Sequence, residues 1–274
     1  MSIKIIATDL DGTLMSPDHQ TVSERTIKAL KEAKSKGIKL AIATGRPLAL
    51  IDNVIKQVPF IDYIIYSNGA CVFDRNQNKI IYSNLISNEI SKDLIGWFLD
   101  RPVFFEVYID GKSHYQQNTQ GKLQKLDLPR DFLDEVISTM QPHESLIDFL
   151  ADREIEKLTA YGIADEDMEY YSSKPAALNL SIASSFDGNI EATAPNTDKG
   201  EALKGLCASL GITADEVMAF GDGGNDAPML RFAEHSFAMQ NGSAECKASA
   251  KHIALSNAED GVSREVEKIL KLIK

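Results

Sequence analysis

Cysteine is scarce. Cys71, Cys207 and Cys246 are odd in number and widely spaced, with no C-x-x-C pair. That pattern argues against a disulfide frame and against a cysteine zinc site, and it suits a reducing compartment. Long hydrophobic runs are also missing: no stretch approaches the ~18 residues of a membrane span. The N-terminus, Met1-Ser2-Ile3-Lys4, leads into a short apolar segment holding Asp9 and Asp11. No secretory signal core would carry two carboxylates, so a soluble, cytoplasmic protein is expected. Positive charge is in deficit as well, with 29 Lys+Arg against 40 Asp+Glu and a formal net charge of −11. An evenly acidic surface repels nucleic acid and anionic lipid, so neither is expected as a partner.

What is present is an ordinary globular composition: 43% hydrophobic and 25% charged residues in a chain of 274. Collagen-like, mucin-like and disordered classes are thereby excluded, and the length allows one large domain or two. Ile3 to Ala7 is a continuous apolar run, as a strand buried on both faces requires. Val22 to Lys36 then carries Val22, Ile27, Leu30 and Ala33 at helical spacing, with Ser23 near its start and Gly37 just past its end. A second strand at Ile38 to Ala43, a second helix at Leu48 to Gln57 and a third strand at Tyr63 to Tyr66 complete an α/β rhythm. That rhythm predicts a parallel sheet with right-handed crossovers.

Beyond this point the pattern changes. Ala70 to Phe73 and Lys79 to Tyr82 flank a polar turn and read as a hairpin. Between Leu85 and Phe186 the sequence predicts a helix around Ile90 to Phe98 and a strand at Val103 to Ile109. A helix near Asp131 to Met140 and strands near Ile155 to Tyr161 and Leu178 to Ala183 follow. This is an α+β layer. The α/β rhythm is expected to return at Asn189, with helices at Lys199 to Leu210 and Ala227 to Ala233, strands at Val217 to Phe220 and Ser236 to Met239, and a last helix to Lys274. The expected organisation is one α/β domain, residues 1–84 and 187–274, interrupted by an inserted α+β domain, residues 85–186.

Four short motifs fall in the α/β halves. Asp9-Leu10-Asp11-Gly12-Thr13 follows the first buried strand, and carboxylates there are costly unless a cation or a reaction needs them. A calcium loop would want Gly five places and Glu eleven places after Asp9, where Leu14 and Gln20 stand. Turn and cap chemistry remains an alternative on these residues alone. Gly221-Asp222-Gly223-Gly224-Asn225-Asp226 follows another apolar strand. It is no dinucleotide fingerprint, because Asp226 puts a negative charge where the third glycine and a pyrophosphate would sit. Oxygen ligands with small neighbours suit a hard cation instead. Thr44-Gly45-Arg46-Pro47 offers a hydroxyl and backbone N–H groups near a helix start, a cradle for an anion or simply a cap and turn. Lys199, in a helix first turn, opposes the helix dipole, and either an anion in front of it or plain solvation would account for it. Together these residues describe a phosphoryl-transfer site, in which Mg²⁺ and a cation offset the repulsion between phosphate and carboxylates.

In their order the motifs resemble the haloacid dehalogenase superfamily, specifically its Cof-type (class IIB) sugar-phosphate phosphatases, over essentially the whole length. The later runs Ala238-Met239-x-Asn241-Gly242 and Ser256-Asn257-x-Glu259-Asp260-Gly261-Val262 are similar to that family too. The resemblance implies a Rossmann-like parallel-sheet core with an inserted α+β cap. It implies that Asp9 is the nucleophile forming an aspartyl-phosphate and Asp11 the general acid and base. Thr44 and Lys199 would hold the transferring group. Mg²⁺ would be held by Asp9, Asp11 and Asp222, with Asn225 and Asp226 in support. Gly45, Arg46, Asn196 and Asn241 are candidate substrate-side residues. A roof of about 100 residues favours a small phosphorylated metabolite as substrate. Two departures stand out: Gly224 where Glu is frequent in the family, and Gln240-Asn241-Gly242-Ser243 where Gly-Asn-Ala is usual.

In the insert, Phe104, Phe105, Glu106, Tyr108, His114, Tyr115, Lys157 and Lys174 include residue types able to recognise a sugar or base, although packing and solvation are the commoner explanation of each. His19, His143, His235 and His252 show no ligand spacing and are assigned no role. Two other functions share these motifs: a phosphomutase, and a sugar-phosphate sensor without turnover. The intact set Asp9, Asp11, Thr44, Lys199 and Asp222 favours an enzyme over the sensor. Oligomeric state is not legible.

Overall fold

The continuous apolar run after the N-terminus becomes the middle of a sheet. In the computed structural model, which describes residues 2–125, 137–185 and 188–272, β1 (Ile5–Thr8) is buried along its whole length. After it come β2 (Lys39–Ala43), β3 (Tyr63–Tyr66), β4 (Cys71–Asp74) and β5 (Lys79–Ser83). A second group follows: β6 (Phe104–Ile109), β7 (Lys112–Gln116), β8 (Gln141–His143), β9 (Lys157–Tyr161), β10 (Ser181–Ala183) and β11 (Asn189–Thr193). Last come β12 (Val217–Gly221), β13 (His235–Met239) and β14 (His252–Ala254). The helix expected near Asp131 to Met140 lies mostly outside the described residues.

The chain divides into two compact units. The first comprises Met1–Gly45, Ile51–Tyr82 and Asp198–Lys274. Its sheet runs in the order β14-β13-β12-β1-β2-β3-β4-β5. β1 pairs in parallel with β12 on one side (Ile5 opposite Val217) and with β2 on the other (Ile5 opposite Lys39), while β4 turns back antiparallel to β3. Strand order therefore reverses at β1, and the carboxyl ends of β1, β2 and β12 open at one edge, where α/β sheets bind ligands. Helices cover the sheet because their apolar residues recur on one face. Glu24–Ser35 buries Ala29, Leu30 and Ala33, and Lys199–Leu210 buries Ala202, Leu203 and Leu206. Ser23 caps the former by accepting from the Thr26 N–H, and Asp198 caps the latter by accepting from the Glu201 N–H. At the far edge of the sheet, β5 is exposed throughout.

The second unit comprises Arg46–Leu50 and Ser83–Thr197. Its sheet has the order β10-β11-β9-β6-β7-β8, antiparallel except for the β7–β8 pair. Asn189–Thr193 pairs antiparallel with β9 and β10, so the α/β rhythm returns at Lys199 and not at Asn189 as expected from sequence. Alternation sorts the side chains onto two faces. Phe105, Val107, Leu158, Ala160, Ile190 and Ala192 form an apolar face packed on residues of helices Asn88–Leu99 and Met168–Ala177, including Leu94, Phe98 and Tyr171. Glu106, Tyr108, Lys157, Thr159 and Glu191 occupy the other face, and all are buried. Among the described residues no helix is long and apolar enough to cross a membrane.

Candidate active site

The site grows from strand ends of the first unit. The Asp9 N–H donates to the Phe220 carbonyl (3.0 Å), extending the β1–β12 ladder by one bond and fixing the residue at the sheet's mouth. Its carboxylate is buried. The chain then turns tightly, with the Leu14 and Met15 N–H groups closing back on the Asp9 and Leu10 carbonyls. Gly12 stands in the turn at φ +73°, and a Cβ there would lie 2.3 Å from Asp222 Oδ2. Only glycine allows this turn to lie against the end of β12. Thr13 completes the contact by donating its hydroxyl to Asp222 Oδ1 (2.6 Å).

Lys199 opens the helix Lys199–Leu210 and is 1% exposed. Its ammonium bridges Asp9 Oδ1 (2.7 Å) and Asp226 Oδ1 (2.6 Å). The other oxygen of Asp226 accepts from the N–H groups of Asp222 and Gly223, both at 2.9 Å. Asp226 thus ties the lysine to the loop after β12. Ligand oxygens of Asp9, Asp222 and Asp226 lie within 4.8 Å of one another. Thr44, buried at the end of β2, is held through its backbone: its N–H donates to Ile65 and its carbonyl accepts from Asn68. Asn68 in turn accepts at Oδ1 from the Asn225 side-chain amide (3.2 Å).

Electrostatics follow from a simple balance. Three carboxylates face one ammonium, which leaves two negative charges uncompensated. Burial pushes the Asp9 carboxyl well above the usual range; Lys199 pulls the other way, and the neighbouring carboxylates of Asp226, Asp222 and Asp11 raise it further. Burial, with Asp226, raises Asp222 to about 7 against the Thr13 hydrogen bond. Burial alone would depress Lys199, but Asp226 and Asp9 more than offset it, so its pKa is raised and it stays charged. A cluster of hard oxygen donors short of two positive charges fits a divalent cation such as Mg²⁺.

The sequence-derived candidates distribute unevenly. Asp9, Lys199, Asp222 and Asp226 come together, with Asn225 linked to Asn68. Asp11 points its carboxylate to His19 Nδ1 (3.0 Å). Gly45 ends the first stretch of the first unit, whereas Arg46 and the exposed Asn196 belong to the second. Asn241 donates from Nδ2 to the Gly12 carbonyl (2.8 Å) and accepts at Oδ1 from the Asn257 N–H (3.2 Å), so its side chain braces the Asp11–Gly12 turn. The loop that departs from the family pattern, 240–243, also supports Asp222, whose carbonyl accepts from the Ser243 N–H (2.8 Å). Beside Gly224 the space is taken: a Cβ there would lie 2.8 Å from Glu245 Oε2. Sequence reasoning missed Thr13, His19 and Asn68. Thr13 stood inside a quoted motif and its hydroxyl was the available signal; the other two carried none.

Comparison with known proteins identifies the family. Residues 6–266 match the family of haloacid dehalogenase-like hydrolases. Phosphatase YwpJ of Bacillus subtilis is 27% identical over 287 residues, spanning 98% of this chain and 100% of that protein. The 5-amino-6-(5-phospho-D-ribitylamino)uracil phosphatase YcsE of the same organism is 28% identical over 268 residues, 97% of this chain and 95% of its own. The solved structure of the HAD subclass IIB sugar phosphatase BT4131 superposes with a TM-score of 0.82 at 28% identity, covering 97% of this chain and 98% of that one. With a parallel α/β sheet, carboxylates at its strand ends and a family match along nearly its whole length, the chain belongs to the haloacid dehalogenase-like hydrolases.

Proposed function

We propose that the protein is a Mg²⁺-dependent phosphatase that hydrolyses small phosphomonoesters, sugar phosphates or related metabolites, through an aspartyl-phosphate. The observation that carries this reading is the buried Asp9 carboxylate, bonded to a fully buried Lys199 amid two further carboxylates. A nucleophile, a fixed cation and a cluster short of positive charge are the parts phosphoryl transfer needs. Relatives named for a phosphorylated ribityl compound and for sugars support a small phosphate ester.

In this mechanism an Asp9 oxygen attacks phosphorus and the ester oxygen leaves, taking a proton from Asp11. Asp11, now a carboxylate, removes a proton from water as that water attacks the aspartyl-phosphate; inorganic phosphate departs and Asp9 is restored. Lys199 holds Asp9 and offsets charge on the transferring group, and Thr44 bonds the phosphoryl oxygens. Asp9, the Asp11 carbonyl and Asp222 would hold Mg²⁺, with Asn225 and Asp226 supporting. Bound there, the metal supplies charge neutralisation between phosphate and carboxylates. Gly45, Arg46 and Asn196 are proposed on the substrate side, and Asn241 as a brace. The first unit is proposed as the catalytic core and the second as the cap, which takes in Arg46–Leu50 and β11 beyond the 85–186 expected from sequence.

The test is phosphate release from a panel of sugar phosphates, nucleotides and 4-nitrophenyl phosphate, with Mg²⁺ or with chelator. Asp9→Asn serves as the blank, with an expected loss of at least ~10⁴-fold. Mg²⁺-dependent turnover absent from the blank is the expected result. Silence from a folded protein that binds Mg²⁺ would instead favour the phosphomutase or sensor.

A further inference from the structure

We propose that His19 is a positioning residue for the acid/base step, holding the Asp11 carboxyl in its working orientation. The proposal rests on the assignment of Asp11 as proton donor and acceptor. Asp11 is the one proposed catalytic carboxylate that burial does not hold. Its side chain is 35% exposed, whereas that of Asp9 is 8% exposed. A half-solvated carboxyl samples several rotamers unless something restrains it. The ring of His19 does so by placing Nδ1 3.0 Å from Asp11 Oδ1.

The loop that carries His19 is built to keep it there. His19 has φ +57°, a left-handed conformation uncommon for a residue with a side chain. The Ser16 N–H donates to the Thr21 carbonyl (2.8 Å) and the His19 N–H to the Ser16 carbonyl (3.0 Å), closing the loop on itself. Asp18 stiffens it further by accepting from the N–H groups of Gln20 and Thr21 (2.9 Å each) and from the Thr21 hydroxyl (2.6 Å). From outside, Gln57 donates to the Gln20 carbonyl (2.7 Å) and accepts from the Val22 N–H (2.8 Å). Glycine or asparagine would satisfy the turn alone. The imidazole adds a ring nitrogen that meets Asp11, so an otherwise exposed loop delivers one side chain to the proposed acid.

Proton donation matters most when the departing group is a poor one, so the proposal predicts selectivity by leaving group. His19→Gly and His19→Asn both tolerate the left-handed backbone, but only asparagine keeps an N–H at the same branch point. With Mg²⁺, His19→Gly should lower kcat for ribose 5-phosphate about tenfold, less than the ~10²-fold a misplaced group can cost. It should change kcat for 4-nitrophenyl phosphate less than about twofold, because an activated aryl oxide leaves without a proton. KM should stay near wild type, and His19→Asn should recover most of the loss. Equal losses on both substrates, no loss on either, or an asparagine variant no better than glycine would overturn the proposal. Asp11→Asn provides the reference. If that variant itself loses rate equally on both substrates, the acid assignment fails instead, and ¹⁵N NMR then tests the contact without turnover. The His19 ring signals should move in Asp11→Asn, and unmoved signals would overturn the contact.

Discussion

Each unit buries a cluster of charged side chains, and the two clusters are finished differently. In the second unit the sheet face around Glu106 and Glu191 has a donor for every carboxylate oxygen. Tyr108 and Tyr161 donate to Glu106 Oε1 and Ser113 to its Oε2. Lys157 donates to Glu191 Oε1 (2.7 Å) and Ser185 to its Oε2 (2.8 Å). The Lys157 ammonium also lies over the Tyr108 ring, 4.8 Å from its centre. In the first unit, Asp9, Asp222 and Asp226 share one lysine and remain short of positive charge. Burial is common to both, so burial does not mark the reactive cluster. The larger imbalance does: two carboxylates face one lysine in the second unit and three face one in the first, and a charge set left that open is one that a metal ion and a substrate can close.

The largest effect expected from this contrast is in the hydrogen-bonded cluster of the second unit. Lys157→Met would remove the ammonium from which the buried Glu191 Oε1 accepts and should destabilise the second unit by about 3–5 kcal/mol, read by denaturant unfolding. A loss under about 1 kcal/mol would mean that the sheet face is hydrated and the comparison is wrong.

A second probe lies in the same unit. His114 Nδ1 sits 2.9 Å from His143 Nε2, and both rings stack on Phe149. Burial, then the adjacent His143, depresses His114 to about 4 from 6.5. The unfolded chain therefore takes up this proton at higher pH than the folded one. Stability is intact above about pH 6.5 and is lost as pH falls toward 4, by about 3 kcal/mol from this group. Hydrogen exchange across β7 and β8 should show that acid-dependent loss in the wild type and a smaller one in His114→Gln, where His143, also depressed by burial, remains.

The smallest effect has the opposite sign. Asp222→Asn removes one uncompensated charge while keeping an acceptor for Thr13, and should raise the stability of the metal-free protein by about 1 kcal/mol. The same substitution should abolish the stabilisation expected from Mg²⁺ in the wild type, about 2.7 kcal/mol at a hundredfold excess over Kd and read as a rise in Tm. If Asp222→Asn instead destabilises the metal-free protein, the cluster was balanced after all.

The core was readable because its strands declare themselves. β1, β2 and β12 are short, mostly apolar runs, and the chemistry-bearing residues follow them directly. What stayed hidden was short or polar. β7 reads Lys-Ser-His-Tyr-Gln, β8 is only Gln141–His143, and β14 is only His252–Ala254, so neighbours and not local pattern make them strands. Helix Met168–Ala177 contains Pro175 and two serines, which mask its period. At the site, residue types were legible and partnerships were not. Thr13 meets Asp222 across 209 positions and Asn241 meets Gly12 across 229, and such pairings exist only once the sheet is ordered. His19 lies just eight residues from Asp11, but a lone left-handed residue leaves no periodic trace.

The distance along the chain between Asp9 and Lys199, 190 residues, has a consequence for biosynthesis. At about 5–20 residues per second, the ribosome takes roughly 10–40 s to deliver the lysine after the aspartate. For most of that interval β2 is available to β1 but β12, its other neighbour in the finished sheet, is not. The central strand is thus the first made and among the last to be enclosed. The first unit matures only when its final third has emerged, and a nascent chain halted before residue 217 carries the proposed nucleophile without the framework that arms it.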